Sequence, residues 1–127
     1  MKLGDIYFWP TDQARGHNNR NKYHLFICVG DWQEDNTFLF ISSRDYGGPD
    51  YRILKSDYSF LTKCESYISC TETVCYSDDE LKRDDIQFVG RLTDEHISDL
   101  RNYILDSDIM EQRHINRICR AIADYLK

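Results

Sequence analysis

The sequence predicts a mainly β (α+β) fold, a small barrel or sandwich of five to six short strands followed by two C-terminal helices. Three observations carry that expectation. Short runs rich in β-branched and aromatic residues recur as far as Leu92, separated by Gly, Pro, Asn and Asp. From Thr93 the apolar spacing changes from two residues to three and four. The length, 127 residues, suits one domain that buries a core without staples. The chain reads as a single domain, with a β part over residues 1–92 and a helical part over residues 93–127.

Each element has its own signal. "DIYFW" reads as a first strand ended by Pro10, which has no amide to give to a ladder. "KYHLFICV" is the second, "GDWQEDN" turns the chain, and "TFLFISS" is the third. Apolar runs of similar length predict that the second and third strands pair as a central hairpin buried on both faces. "RDYGGPD" is the strongest loop punctuation in the chain, and "YRILKSD" after it reads as an edge strand. In "ESYISCTETVCY" a two-residue alternation is interrupted near Glu72, which predicts a bend or bulge. "IQFVGRL" is the last strand. Ile97, Leu100, Ile104 and Leu105 then mark an amphipathic helix capped by Thr93 or Asp94. A second helix is expected from near Asp108, with Glu111 at capping-box spacing and a stripe of Ile115, Ile118, Cys119, Ile122 and Leu126.

Composition narrows the function classes. The formal charge is −6, so the whole chain lacks the basic excess of a protein that grips long nucleic acid by counterion release. Residues 1–63 hold 8 Lys/Arg against 8 Asp/Glu and residues 64–127 hold 8 against 14, which together give the total of 16 against 22. The acid excess is therefore C-terminal, and the neutral first half has room for a local positive groove. The five cysteines, at 28, 64, 70, 75 and 119, fall largely in apolar surroundings and read as reduced, buried thiols. The opening "MKLGDIYFWP" lacks the apolar core of a secretory signal, and eighteen apolar residues never run together. A cytoplasmic, soluble protein with no membrane partner is expected.

In order, "GDIY", an amide-rich loop, a buried strand ending in "GD", a strand ending in Ser-Ser, "SYISCTETV" and "VGRLTDEHISDL" resemble the PemK/MazF family of toxin ribonucleases. The resemblance spans roughly residues 4–105 and rests on order and spacing, each motif alone being weak. It implies an SH3-like barrel, commonly a homodimer, that cleaves single-stranded RNA without metal or other cofactor. It also implies neutralisation by a cognate antitoxin that lays a segment over a groove between the first two loops. The reaction is attack of a ribose 2′-hydroxyl on its own phosphate, leaving a cyclic phosphate. A fixed cationic donor stabilises the charge that builds on the non-bridging oxygens.

Carried over position by position, the family's Arg-Pro falls at Lys22-Tyr23 or Tyr23-His24, so its arginine is absent here. Lys22 supplies charge without the planar fork of a guanidinium. His24 is the acid or base nearest neutral pH, Arg20 a second cation reaching in from the loop, and Ser43 or Ser42 the hydroxyl, strand alternation allowing only one of the two to face the site. RNA contacts are expected from His17, Asn19, Trp32, Arg44 and Tyr46, with Tyr51 a further surface for base stacking. Each residue also has a plainer reading. Lys22 and Arg20 are then solvated charges, His24 a core imidazole, and Ser42 and Ser43 strand-ending hydroxyls. A barrel that has lost its arginine and only binds protein or RNA is the main alternative, and a generic small-barrel adaptor the third. Zinc at Cys64, Cys70 and Cys75 is disfavoured because the spacing lacks a paired C-x-x-C, and no metal is expected. A Cys28–His24 nucleophilic pair fails on distance along a strand. The resemblance leaves the helix beyond Asp108 in excess, to thicken a dimer interface, to cap the barrel or to bind something else.

Overall fold

A computed structural model describes residues 1–11, 20–30, 35–43 and 50–127, with Thr11 and Arg20 described by backbone alone. Within them the strands are β1 (Asp5–Thr11), β2 (Arg20–Val29), β3 (Asn36–Ser42), β4 (Tyr51–Leu54), β5 (Glu65–Ile68), β6 (Val74–Tyr76) and β7 (Gln87–Arg91). The helices are α1 (Asp78–Arg83), α2 (Asp94–Leu105) and α3 (Gln112–Tyr125). The fold is mainly β, a curled antiparallel sheet consistent with a small barrel, with C-terminal helices as expected.

Strand order is β4-β5-β3-β2-β1-β7, and β6 also pairs β3. The predicted central hairpin is β2–β3, with Tyr23 opposite Ile41 and Leu25 opposite Leu39. Its two faces are both buried, and alternation sorts them. Leu25, Ile27, Leu39 and Ile41 face the core beneath the helices, while His24, Phe26, Phe38 and Phe40 face a second, aromatic core that includes Trp9 and Tyr76. The predicted interruption near Glu72 separates β5 from β6, which lie along the same edge of β3. Ile41 pairs Ile68 and Phe38 pairs Val74, so five residues, 69–73, stand opposite two, Leu39 and Phe40. Three extra residues loop out there, and the Cys70 amide donates to Asp50 Oδ1 at 3.0 Å.

Three expectations need correction. Pro10 does not end β1, which runs on through Pro10↔Asn21 and Thr11↔Arg20. On its other side β1 pairs β7 only from Asp5 to Phe8, so Pro10 lies beyond the ladder that would need its missing amide. Helix α1 was not anticipated, although Ser77 and Glu80 form a capping box in which Ser77 Oγ accepts from the Glu80 amide and Glu80 accepts from the Ser77 amide. Helix α3 starts at Gln112, and Glu111 makes no side-chain cap. Ser107 organises the turn before it: its hydroxyl donates to the Cys70 carbonyl at 2.8 Å and accepts from the Met110 amide at 3.2 Å.

The helices are not an appendage. Ile97, Leu100 and Ile104 of α2 and Ile115, Ile118 and Ile122 of α3 join Leu25, Ile27 and Leu39 in one continuous core. Leu105 and Leu126, assigned to the apolar stripes, sit at their margins and stay exposed. No described helix is long and apolar enough to cross a membrane.

Candidate functional site

The open ends of β2 and β3 bring the predicted cation and hydroxyl together. Lys22 stands opposite Ser42 in the continuation of the hairpin register, and its ammonium donates to Ser42 Oγ at 3.4 Å. Both border a hollow of about 160 Å³. Asn21, Ser43, Thr62 and the buried Ser66 add polar groups to its wall, and Phe8, Tyr23 and Ile41 add apolar surface. No carboxylate is among the described residues of this wall. Cation, amide and hydroxyls make the described part of this wall chemically suited to a phosphate oxygen.

Ser42 and Ser43 both border the hollow, where alternation was expected to allow only one. The reason is that β3 ends at Ser42, so Ser43 no longer follows the pleat. Tyr23 holds one side in place. Its hydroxyl donates to the Phe60 carbonyl at 2.8 Å and its ring packs on Phe8 with centroids 4.6 Å apart. Burial raises the Tyr23 pKa, so the phenol remains a neutral donor.

His24 is placed elsewhere. Its side chain is fully buried and stacks on Trp9, in the aromatic core rather than in the wall of the hollow. The Lys22 carbonyl lies 2.9 Å from Nδ1, and a carbonyl only accepts, so the proton sits on Nδ1. Nε2 then accepts from the Tyr76 hydroxyl at 3.2 Å. Burial pushes the imidazole pKa down to about 3, with the nearby Lys22 charge acting in the same direction. Near neutral pH this ring is a fixed neutral spacer, not an acid or base that changes state. Arg20 is likewise relocated, from a loop to the first residue of β2, opposite Thr11.

His17, Asn19, Trp32, Arg44 and Tyr46 lie outside the described residues, as do most of the two loops expected to flank an antitoxin groove. Tyr51, expected to be free for stacking, is buried under α2, its ring against Tyr103 and its hydroxyl donating to Asp99. No two cysteines are joined in a disulfide; Cys70 and Cys119 are buried and Cys64 is exposed. Among the described residues no three His, Cys, Asp or Glu side chains come together as a metal site.

The wall residues missed by sequence reasoning are Phe8, Asn21, Tyr23, Ile41, Thr62 and Ser66. The hairpin register alone points to Asn21 and Tyr23 once Lys22 and Ser42 are chosen. Ser66 arrives only with β5, which pairs with β3, and Thr62 lies in the segment that leads into β5; the sequence carries no local signal for either placement. Neither a protein-family model nor a curated protein matches the chain.

Proposed function

We propose that this chain is a ribonuclease toxin of the PemK/MazF type, in which the Lys22–Ser42 hollow receives a phosphodiester of single-stranded RNA. The observation that carries this reading is the 3.4 Å approach of the Lys22 ammonium to the Ser42 hydroxyl where both border one hollow. The curled sheet and the motif order support it. In the reaction, a ribose 2′-hydroxyl gives its proton to water as its oxygen bonds to phosphorus, the bond to the departing 5′-oxygen breaks and that oxygen takes a proton from water, and a cyclic phosphate remains. Lys22 stabilises the charge on the non-bridging oxygens as it grows, and Ser42 orients the same group. The reading includes a cytoplasmic homodimer and a cognate antitoxin that covers the hollow.

The burial of His24 favours a second reading, in which the same hollow binds RNA or a protein partner without cleaving. Incubation of the purified chain with single-stranded RNA in EDTA separates the two. The nuclease reading expects fragments ending in cyclic phosphate, lost in Lys22→Ala and reduced in Ser42→Ala. Intact RNA that is retained by wild type and released by Lys22→Ala selects the binding module. RNA neither cut nor retained rejects the nuclease and the RNA-binding module, and leaves only a hollow that takes a protein partner.

A further inference from the structure

Beside the Lys22 hollow lies a larger one of about 700 Å³, within the ~300–1,000 Å³ typical of ligand sites. The two share Phe8 and Asn21 as a common wall. The larger hollow has an apolar part, Phe8, Trp9 and Pro10, and a polar part to which α1 and β7 contribute Arg83 and Gln87. Trp9 is the register partner of Lys22 across the β1–β2 ladder, and Asn21 is its chain neighbour. The hollow is therefore one residue from the candidate phosphate contact on either strand.

Trp9 is 1% exposed, and its indole N–H has no hydrogen-bond partner among the described residues. That nitrogen has no accessible surface, so the groups that could meet a ligand in this hollow are those of its rim. The polar groups of the rim suit a particular ligand. Carboxamides such as Asn21 and Gln87 each present a donor and an acceptor in one plane, as does the edge of a nucleobase, and Arg83 adds the donor pair that suits a purine acceptor edge. Asp84 and Asp85 oppose a second phosphate here and accept from exocyclic amino groups. Ring and proline surfaces give the base a face to lie on.

We propose that this hollow is a nucleobase subsite, holding the unpaired base next to the phosphate bound at Lys22; the inference rests on the RNA reading of the smaller hollow. Base selectivity is then set by Asn21, Arg83 and Gln87, while Lys22 contributes binding that is independent of base.

The test is calorimetric titration of the full chain with two probes, a 2′-O-methyl tetranucleotide that is not cleavable and an abasic tetramer with the same number of phosphates. The base-bearing probe is expected to bind about ten-fold or more tighter. Asn21→Ala, Arg83→Ala and Gln87→Ala alter exposed side chains, and circular dichroism verifies that each is folded. All three are expected to erase that preference; Arg83→Ala and Gln87→Ala leave abasic binding unchanged, whereas Lys22→Ala, and to a lesser degree Asn21→Ala, which also lines the smaller hollow, weaken both probes. Equal binding of the two probes, or a preference that survives all three substitutions, overturns the subsite and leaves the phosphate reading standing. Failure of both probes to bind wild type overturns the phosphate reading and the subsite with it.

Discussion

His24 lies flat against Trp9, ring centroids 3.5 Å apart and planes 12° from parallel, with the Tyr76 hydroxyl closing its second nitrogen. This buried polar pair inside an aromatic cluster makes the fold sensitive to acid. The imidazole pKa falls from its ordinary 6.5 to about 3 on folding. Above pH 6.5 the ring is neutral in both states and its contribution is complete. As pH falls from 6.5 toward 3 only the unfolded chain takes up the proton, so this one group removes about 1.4 kcal/mol of stability per pH unit. Urea unfolding at pH 7.5 and 5.0 is expected to show wild type losing about 2 kcal/mol more than His24→Phe over that interval. Equal losses would remove His24 as the titrating group.

Lys22 and Ser42 give a prediction about charge shape. If the Lys22 ammonium meets a phosphate, Lys22→Ala lowers cleavage by about a hundred-fold or more, in line with loss of a transition-state donor. Lys22→Arg restores the paired donors that the family motif carries, and is expected to retain or raise the rate. Single-turnover kinetics on a short RNA checks both. A Lys22→Ala variant as fast as wild type would move the chemistry away from this hollow.

Much of this architecture is legible in the sequence because it is written in patterns of two and three-to-four. The β2–β3 hairpin, the interruption near Glu72 and helix α2 follow from spacing alone. The depth of a residue along its strand does not. Strand β2 begins at Arg20, two residues before the "KYHLFICV" read as the strand, because residues 20–22 pair with Thr11, Pro10 and Trp9. That extension moves His24 from the strand mouth into the aromatic core. Helix α1 escaped notice because Leu81 is its one buried residue, too little for a period to show. The motifs behind the family resemblance are also largely structural. Gly4 accepts from the Leu92 amide and Asp5 pairs with Arg91, so "GDIY" and "VGRL" tie two strands together and speak for the fold more than for activity.

The two motif glycines can be tested on that ground. A Cβ at Gly90 would stand 2.7 Å from the Phe60 ring, and one at Gly4 would stand 2.9 Å from Ile97 Cδ1 on a backbone with φ of +95°. Gly90→Ala is expected to cost roughly 1–3 kcal/mol through displacement of Phe60. Because Tyr23 donates to the Phe60 carbonyl, the same change should disturb the wall of the smaller hollow. Gly4→Ala adds a left-handed backbone penalty to its clash and should cost more than a simple overpacking. Thermal unfolding of the two variants measures this, and melting curves superimposable on wild type would contradict it.

The last helix closes the argument about how the domain is held. Arg91 donates to Asp5 and to the Tyr125 hydroxyl, and Tyr125 donates to Asp94, so β1, β7, the start of α2 and the end of α3 meet in one chain of hydrogen bonds. The Arg91–Tyr125 bond is 2.7 Å, and the Arg91 guanidinium also lies 5.9 Å from the Tyr125 ring centre. Tyr125→Phe keeps the ring and removes the hydroxyl, so it should cost about 1 kcal/mol and loosen only the last turn of α3. Ile118→Ala, in the shared core, should cost roughly 2–5 kcal/mol and lower the whole domain. Amide exchange distinguishes the two: faster exchange confined to α3 in the first variant, and spread through β2 and β3 in the second. If Ile118→Ala left the β2 and β3 amides as protected as in wild type, α3 would be an independent attachment rather than the lid of the core.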